Sequence, residues 1–505
     1  MRYLKTIFNK QTLLILSTLL RLIFVIFVVY YFSTLVGWFH YLLLVLRFVV
    51  FVRIINDTTN PSHKIPWLVL CLAFPIVGIT CYILFSKKFV SYRQMRIYRK
   101  TIKVSKKYQQ QSDKVTQSIG DNVDKNMYIY NQCAMPVHTG TEVKYLKNGE
   151  TFLHSLLIDL KTAKKFIFME YFYVKDGKMW SEIEEILKEK IAEGVEVRLM
   201  VDDIGTIGKV PKGFFRHLRK IGINVIKYNR FIPIISAIHN NRDHRKITVI
   251  DGIIGYTGGI NIGDEYVNYT HPYGYWKDTA VRLYGKAVDN FTIMFLQMFN
   301  SQTKRVDMYS DYIIADTCTA QNDGFVQPFC DGPKPIFTDQ IGENTYLNII
   351  NQAKHSVTIT TPYFIVDYQL INALKMASSR GIDVKLVVPN IPDKKIVYAL
   401  TRTNYKQLFS SGVKVYKYTP GFIHGKMILA DDEVAMVGTM NWDYRSLVHH
   451  YEDGVLMYKT SCIADIKKDM DDIIEASEEQ SLENTKINIF VRIWCSLIAV
   501  FSPLF

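Results

Sequence analysis

The chain has 505 residues and a formal net charge of +14, because 61 lysines and arginines face 47 aspartates and glutamates. Its length excludes a single small module, and 49% hydrophobic against 21% charged residues excludes an intrinsically disordered chain. Seven scattered cysteines, an odd number with no C-x-x-C pair, favour neither a disulfide framework nor a cysteine-ligated zinc site. We therefore expect a globular protein with localised apolar segments and buried thiols.

The N-terminal part contains two long apolar stretches, residues 11–52 and 66–85. Each is long enough to predict a membrane-spanning helix, and the first is too long for a cleavable signal peptide. The uncharged part of the first stretch fits either one long span or two spans joined near residues 33–37. We therefore expect a multi-pass transmembrane module over residues 1–88, with two or three spans.

Basic residues flank both apolar stretches. Three precede the first stretch: Arg2, Lys5 and Lys10. Nine follow the second, with no acid among them: Lys87, Lys88, Arg93, Arg96, Arg99, Lys100, Lys103, Lys106 and Lys107. Basic flanks favour the cytoplasmic side of a membrane, and two spans would place both flanks there. Three spans would place the flanks on opposite sides, and the denser cluster of nine would then be expected on the cytoplasmic side. We expect residues 89–139 to form a basic juxtamembrane linker attracted to anionic head groups, with a solvated basic helix as the alternative.

From about Gly140 the chain repeats a pattern of helices and strands. Three pairs of segments correspond: 163–168 with 353–358, 194–200 with 381–387, and 222–228 with 412–418. Strands that alternate with helices in two copies predict two similar α/β halves with largely parallel sheets. We place the halves at residues 140–300 and 331–475, a connector at 301–330, and a C-terminal membrane-associated tail at 476–505.

Both halves contain the pattern H-x-K-x-x-x-x-D, with an asparagine 17 residues after the histidine. The residues are His244, Lys246, Asp251 and Asn261 in the first half, and His424, Lys426, Asp431 and Asn441 in the second. On a strand, residues two apart project from the same face, so each histidine and lysine can meet one ligand. Alternation turns each aspartate away from that face, so we expect it to serve structure more than direct contact. A turn after each aspartate predicts a strand-turn-strand unit.

Two histidines, two lysines and two asparagines that converge on one cleft suit a phosphodiester substrate. The lysines and asparagines can hold the non-bridging oxygens and stabilise a five-coordinate transition state. One imidazole can attack phosphorus while the other protonates the departing alkoxide. His239, His449 and His450 lack the helical ligand spacing of a metal site, so we expect no metal and no other cofactor.

The duplicated motif with G-x-x-N downstream resembles the signature of the phospholipase D superfamily, and the whole layout is similar to that of the bacterial cardiolipin synthases. Further matching segments are residues 60–67, 276–279, 421–424 and 438–446. The resemblance implies an α/β fold of two phospholipase D-like halves, each a mixed β-sheet flanked by helices. The halves would be related by pseudo-twofold symmetry and preceded by an N-terminal helical transmembrane module.

The resemblance also implies a reaction, in which two phosphatidylglycerols give cardiolipin and glycerol through a phosphatidyl-histidine, without nucleotide or metal. His244 would be the nucleophile and His424 the general acid, and the catalytic set would also include Lys246, Asp251, Lys426 and Asp431. Asn261, Asn441, Asp278 and Glu452 would complete the substrate-binding site, with the two acids behind the histidines fixing their tautomer. His450 departs from the family pattern, which has asparagine two residues before that glutamate.

The implied partners are phosphatidylglycerol and anionic lipids of a bacterial cell membrane, and no nucleic acid. A non-enzymatic lipid-binding protein is the alternative from another class, but the intact residues of both halves argue against it. The apolar segments argue against a nuclease. A hydrolytic phospholipase D and a phosphatidylserine synthase remain open, because they differ only in whether water or an alcohol intercepts the intermediate.

Overall fold

A computed structural model describes most of the chain in two compact units. One unit contains Met1–Val90, Phe231–Asn240 and Leu497–Phe505, and the other contains Ser91–Arg230 and Asn241–Ser496. The described residues are 20, 23–24, 27–28, 30–31, 37–57, 60–86, 92–120, 123–230, 240–303, 306–313, 320, 323–483, 485 and 488–502. Several predictions fall outside them: the turn at residues 33–36, the basic residues Arg2, Lys5, Lys10, Lys87 and Lys88, and His239.

The first unit is helical where it is described. Its helices are α1 (Gly37–Asn56), α2 (Pro61–Ala73) and α3 (Pro75–Cys81), followed by a π-helix over Tyr82–Ser86. The Asn60 side chain caps α2 by accepting a hydrogen bond from the backbone N–H of Ser62. The helix ends at Phe74, whose φ of −132° is not helical. Pro75 then begins α3, since proline suits the first turn of a helix.

The predicted transmembrane module was wrong. Among the helices that the structure describes, none has both the length and the apolar character needed to cross a membrane. The apolar stretch 66–85 is interrupted at Phe74, between the 13-residue α2 and the seven-residue α3, which a five-residue π-helix follows. The helix α1 has 20 residues but carries Arg47 and Arg53. The multi-pass arrangement with two or three spans is therefore not found in the described part of the chain.

The second unit begins with a basic amphipathic helix. The first helices of this unit are α4 (Tyr92–Ser105), a 3₁₀ turn (Lys106–Tyr108), α5 (Asp113–Ile119) and α6 (Val123–Cys133). Helix α4 buries Tyr98, Thr101 and Ser105, spaced three and four residues apart, and exposes basic residues between them. The Thr101 hydroxyl donates to the carbonyl of Gln297, and the Gln297 side chain donates to the Ser105 hydroxyl. The basic helix is thus anchored to the core by its small polar face.

The first half of the repeat is a seven-stranded mixed sheet with helices. This half contains the strands β1 (Thr141–Leu146), β2 (Phe166–Tyr171), β3 (Glu196–Asp202), β4 (Asn224–Tyr228), β5 (Ile247–Ile250), β6 (Ile254–Gly258), β7 (Tyr275–Lys277) and β8 (Ala280–Gly285), of which all but β7 belong to the sheet. Its helices are α7 (Gly149–Thr162), α8 (Lys178–Ala192), α9 (Asp203–Thr206), α10 (Phe214–Lys220) and α11 (Val288–Gln302), with a 3₁₀ turn over Asp264–Val267. The sheet order is β1-β8-β6-β5-β2-β3-β4.

The second half repeats this arrangement in an eight-stranded sheet. This half contains the strands β9 (Phe325–Asp331), β10 (Ser356–Thr360), β11 (Phe364–Ile365), β12 (Asp383–Pro389), β13 (Lys414–Tyr418), β14 (Gly421–Ile423), β15 (Met427–Ala430), β16 (Val434–Gly438), β17 (Trp442–Asp443), β18 (Glu452–Tyr458) and β19 (Ser477–Glu479), of which all but β11, β14 and β17 belong to the sheet. Its helical segments are a 3₁₀ turn (Tyr309–Asp311), α12 (Ile341–Gln352), α13 (Tyr368–Ser379), α14 (Lys395–Thr403), α15 (Tyr405–Phe409), a π-helix (Arg445–His449) and α16 (Cys462–Glu475). Helix α17 (Ile489–Phe501) follows.

The two sheets correspond strand for strand. Read from β9, the second sheet has the order β9-β18-β16-β15-β10-β12-β13-β19, which matches the first sheet and adds β19 at its end. The predicted pair of α/β halves with mixed sheets is confirmed. The expectation of largely parallel sheets was too simple, because within the two large sheets only β2-β3-β4 and β10-β12-β13 pair in parallel. The predicted strand-turn-strand units, β5-β6 and β15-β16, are necessarily antiparallel.

A fully buried cluster of charges lies in the core that the two halves share. Arg245 Nη2 is 2.5 Å from Glu170 Oε1, Arg245 Nε is 3.3 Å from Asp243 Oδ1, and all three side chains are inaccessible to solvent. Burial opposes the charge on Arg245, but Glu170 and Asp243 outweigh it and raise the pKa of the guanidinium. Since Arg245 is adjacent to His244, this cluster fixes the start of strand β5.

Replacing Arg245 by methionine is expected to lower the free energy of unfolding by about 3–5 kcal/mol, because it leaves Glu170 and Asp243 buried without a cation. Denaturant unfolding followed by tryptophan fluorescence measures the change. Arg216→Met is the matched control, because Arg216 is exposed on α10. Equal stability of the two variants would contradict the prediction.

Candidate active site

Each motif histidine is hydrogen-bonded to an acid from the other half. His244 Nδ1 lies 2.9 Å from both carboxylate oxygens of Glu452, and His424 Nδ1 lies 2.6 Å from Asp278 Oδ2. The two carboxylates are fully buried, and the histidines are 8% and 7% exposed. The structure thus brings together four predicted site residues in two crossed pairs.

Two short parallel backbone pairings between the halves create this crossing. Asp243 forms a parallel bridge with Tyr451, and the N–H of His244 donates to the Tyr451 carbonyl at 2.9 Å. Strand β14 pairs in parallel with β7, and the N–H of His424 donates to the Lys277 carbonyl at 2.6 Å. Each acid is the residue that follows the accepting carbonyl. The pairing therefore aligns each histidine with the acid of the opposite half.

The motif lysines lie beside their histidines in extended backbone just before strands β5 and β15. Lys246 Nζ donates to the carbonyl of His244 at 2.7 Å, and Lys426 Nζ donates to the carbonyl of His424. Lys426 Nζ also lies 2.9 Å from His424 Nε2. Both lysines are buried. The two-residue spacing thus places each lysine at its histidine, as the alternation of side chains predicts.

The two asparagines are buried in the same part of the second unit but have different partners. The Asn261 amide donates to the Tyr266 hydroxyl at 2.9 Å, and its oxygen accepts a 3.4 Å contact from the N–H of Tyr173. The side-chain oxygen of Asn441 is buried and has no hydrogen-bond partner among the residues that the structure describes. Asn441 is therefore the asparagine with free capacity for a ligand.

Asp251 and Asp431 lie at the far ends of strands β5 and β15, away from the lysines. The Asp251 carboxylate accepts hydrogen bonds at 2.7–2.9 Å from the backbone N–H groups of Lys164, Lys165 and Phe166. The Asp431 carboxylate accepts equivalent bonds at 2.7–3.0 Å from Lys354, His355 and Ser356. Both aspartates have a positive φ, as the tight turn requires. These residues join neighbouring segments of the sheet and do not enter the cluster, so their placement does not fit the catalytic role that the resemblance implies.

Burial and neighbouring charges set the protonation of the site. Burial lowers the pKa of His424 to about 4, with a further contribution from Lys426, and burial with Lys246 lowers the pKa of His244 well below its ordinary value. Burial also lowers the pKa of Lys246 to about 8 and that of Lys426 to about 7. The free site therefore holds neutral imidazoles whose Nδ1–H faces an acid and whose Nε2 carries the lone pair.

Asp278 and Glu452 are held in different ways. Burial opposes the ionisation of Asp278, but His424 and Lys426 outweigh it and lower the pKa of the carboxyl. Gly259 makes room for this carboxylate, because a Cβ there would lie 2.0 Å from Asp278 Oδ1. Glu452 instead accepts hydrogen bonds from the hydroxyls of Thr439 and Ser446.

Aromatic side chains surround the histidines. The rings of Tyr266, Trp276 and Phe422 lie 5.4, 5.3 and 5.8 Å from the His424 ring, and Phe172 lies 5.1 Å from the His244 ring. Such walls exclude water and strengthen electrostatic interactions inside the site. They favour transfer to a bound acceptor over transfer to water.

Sequence reasoning missed several residues of this site. Thr439 and Ser446 lie in the segment 438–446 that carries the family resemblance, so that segment was the available signal. Lys394 lies close enough to lower the pKa of His244, and its ammonium is 4.8 Å from the centre of the Tyr363 ring. No motif marks Lys394, because only the packing of the two halves brings it near the first-half histidine.

The arrangement can perform nucleophilic substitution at phosphorus. It offers two imidazoles, two acids that orient them, and two buried ammonium groups for non-bridging oxygens. This combination of groups matches a phosphodiester substrate.

Comparison with known proteins identifies the family. The family model described as "Cardiolipin synthase, PLD-like domain" matches residues 156–291 and 346–474. A cardiolipin synthase from Alkalihalophilus pseudofirmus is 33% identical over 468 residues, which cover 90% of this chain and 92% of that protein. The chain belongs to the cardiolipin synthase family. It is accordingly a phosphatidyltransferase with phospholipid substrates, and a membrane-associated protein.

Other relatives agree with this assignment to the cardiolipin synthases. A cardiolipin synthase 2 from Bacillus cereus is 34% identical over 458 residues, 89% of this chain and 88% of that protein. The family model described as "Phospholipase D-nuclease N-terminal" matches residues 45–87. The crystal structure of phosphatidylserine synthase from Haemophilus influenzae matches 75% of this chain and 100% of that chain, with a TM-score of 0.56 and 14% identity. That likeness shows a shared fold alone.

Replacing Asp431 by alanine is expected to lower the free energy of unfolding by about 2–3 kcal/mol, because three N–H groups lose a charged acceptor. Burial opposes ionisation of Asp431, but these donors outweigh it and lower its pKa, so the stabilisation is present at neutral pH and is lost in acid. The Asp431→Ala protein that remains folded should turn over lipid at the rate of the wild type.

Thermal unfolding and lipid turnover, measured on the same preparation, test this expectation. Asp432→Ala is the matched control, because the exposed Asp432 makes only a surface ion pair with Lys467. A stable but inactive Asp431→Ala protein would return this aspartate to the catalytic set.

Proposed function

We propose that the chain transfers a phosphatidyl group from one phosphatidylglycerol to another, giving cardiolipin and glycerol through a phosphatidyl-histidine. The observation that carries this proposal is the pair of crossed histidine–carboxylate contacts. They prepare two imidazoles for opposite roles at one phosphorus atom. The expected substrates are therefore phosphatidylglycerol and other anionic membrane lipids.

In the first step, His244 Nε2 attacks the phosphorus of the donor lipid. The phosphorus–oxygen bond to the head-group glycerol breaks, and the glycerol oxygen takes a proton from His424 Nε2. In the second step, a hydroxyl of the acceptor head group gives its proton to His424 and attacks the phosphorus, which releases His244. Atoms and charges balance, because the proton that His424 donates is regained from the acceptor.

The contacts of the two lysines support this assignment of roles. Lys426 Nζ lies 2.8 Å from His424 Nδ1 and 2.9 Å from His424 Nε2, so its ammonium lies against the His424 ring and opposes attack by that imidazole. Lys246 Nζ instead donates to the backbone carbonyl of His244. The Nε2 lone pair of His244 is therefore the one available for attack.

The negative charge of a bound substrate should raise the pKa of His424, which is low in the free site. A phosphodiester anion bound between Lys246 and Lys426 offsets the positive charges that lower the pKa of the histidine in the free site. The bound substrate thus favours the protonated imidazole that must act as general acid. Asp278 stabilises the same imidazolium through its Nδ1 contact.

Two further features fit a lipid substrate at a membrane surface. The exposed face of α4 carries Arg96, Lys100 and Lys103, which suit anionic head groups. Lys394 and Lys209 lie over the rings of Tyr363 and Tyr173, at 4.8 and 4.4 Å, in equivalent positions of the two halves. They offer cationic contacts for head-group phosphates.

Product analysis in phosphatidylglycerol vesicles containing EDTA tests the proposal. The wild type should give cardiolipin and equimolar glycerol, and His244→Ala and His424→Ala should each lose at least about 10²–10⁴-fold of this rate, because each removes a step of proton or phosphatidyl transfer. His154→Ala is the matched control, since His154 is exposed on α7.

The identity of the product separates the alternatives. Phosphatidic acid as the main product would replace the proposal with hydrolysis. Absence of any lipid product from the wild type would leave a lipid-binding role. Activity that survives in His244→Ala would overturn the assignment of the nucleophile.

The value of kcat/KM is expected to fall as the pH is raised above neutral. Lys426 and Lys246 lose their protons in the free enzyme near pH 7 and 8, and with them the charge that binds the phosphodiester. Raising the pH through this range should therefore lower kcat/KM. Initial rates at low substrate concentration measure the profile, and Lys426→Arg should move the alkaline limb upward, because a guanidinium stays charged. A wild-type profile that is flat to about pH 9 would contradict this expectation.

A further inference from the structure

A third histidine lies next to the His244–Glu452 pair. The His450 ring centroid is 5.5 Å from that of His244, and His450 Nδ1 is 3.6 Å from Glu452 Oε1. The His450 side chain is only 10% exposed, and neither ring nitrogen has a hydrogen-bond partner among the described residues. Burying an imidazole without hydrogen bonds costs folding free energy, which is explained if the imidazole binds a ligand.

The three side chains lie close enough together to share one metal ion. One ligand atom each from His244, His450 and Glu452 can be chosen so that all lie within 4.8 Å of one another. Tetrahedral zinc with bonds of about 2.0–2.2 Å separates its ligand atoms by roughly 3.3–3.6 Å. The measured contacts of 2.9 Å from His244 and 3.6 Å from His450 to Glu452 bracket that separation. Two imidazoles and one carboxylate are also a ligand set that zinc prefers.

The equivalent position in the second pair cannot bind a metal. Trp276 precedes Asp278 by two residues, just as His450 precedes Glu452. The Trp276 ring lies 5.3 Å from the His424 ring, and its indole N–H approaches Asp278 Oδ2 at 3.4 Å. An indole nitrogen only donates a hydrogen bond and offers no lone pair to a cation. The three-ligand cluster is therefore specific to the pair that contains the proposed nucleophile.

We propose that His244, His450 and Glu452 form a binding site for Zn²⁺ or a similar transition-metal ion, and that the bound ion reversibly inhibits the enzyme. Coordination through His244 Nδ1 displaces the Glu452 hydrogen bond and leaves the imidazole proton on Nε2. The nucleophilic lone pair is then lost. Coordination through Nε2 blocks the same atom directly. Metal binding stands on the cluster itself, whereas the inhibition rests on the function proposed above.

The nearby cations limit how strongly the metal binds. The ammonium groups of Lys246 and Lys426 act electrostatically on His244 and Glu452. Their positive charges oppose a divalent cation, so the site should fill when zinc is in excess and empty when EDTA is added. This behaviour is that of a reversible inhibitory site and differs from that of a structural zinc, which holds a fold together.

Metal binding is tested first, on the purified full-length protein freed of metal with EDTA and then of EDTA. Zn²⁺ is titrated in competition with a chromophoric zinc chelator, and Co²⁺ absorption reports the coordination geometry. The wild type should bind one ion, and His450→Asn should bind at least tenfold more weakly, because it loses one of three ligands. His154→Asn, at an exposed site, should bind as the wild type does. Equal affinity of the wild type and His450→Asn would overturn the proposed site.

Inhibition is tested in the phosphatidylglycerol assay. Zn²⁺ should stop cardiolipin formation by the wild type, EDTA should restore it, and His450→Asn should remain active at zinc concentrations that inhibit the wild type. Zinc that acts by binding the anionic vesicles would inhibit both proteins equally, and that result would overturn the inhibitory role.

The two readouts distinguish this proposal from the proposed function. A wild type that makes no cardiolipin in EDTA but binds zinc through His450 would reject the function and keep the site. A wild type that makes cardiolipin but binds zinc independently of His450 would reject the site and keep the function. Should His450→Asn be unstable, His450→Gln with the Co²⁺ spectrum gives the same comparison.

Discussion

The two parallel backbone contacts between the halves are the constraint on which the site depends. The bridge from Asp243 to Tyr451 and the pairing of β14 with β7 bring each histidine to an acid that lies more than a hundred residues away in the chain. Among the described residues, neither motif histidine is hydrogen-bonded to an acid of its own half. Chemistry at phosphorus therefore requires that both halves fold and meet in this register, and the shared core with its buried Arg245 cluster holds them there.

The two halves of the repeat have similar backbones but differ in the side chains around the site. Thr439 donates to Glu452, whereas Gly259 at the equivalent place leaves room for Asp278. Arg245 lies beside His244 in a charged cluster, whereas Gly425 follows His424. These differences lie around two identical side chains, so His244 and His424 have unequal surroundings in a nearly symmetric fold.

Much of this architecture could be predicted from the sequence, because the signals were local. The internal repeat, the strand-turn-strand units and the outward position of Asp251 and Asp431 all follow from periodicity within a few residues. The crossing of the histidines and acids could not be predicted, since it depends on how the two halves pack. The transmembrane module was wrongly predicted because hydropathy averages over residues 66–85 and does not register that the helix ends at Phe74. The position of Lys394 near His244 was also missed, because it too depends on how the two halves pack.

The crossed pairs also bear on how such a chain could arise. A polypeptide that carried only one half would lack the acid for its own histidine, so it could work only as a dimer in which each copy supplies the acid of the other. Fusion of two copies into one chain removes the dependence on concentration, because the partner is then always present. It also frees each copy from having to be complementary to itself, and substitutions such as His450 against Trp276 can then accumulate on one side of the site only.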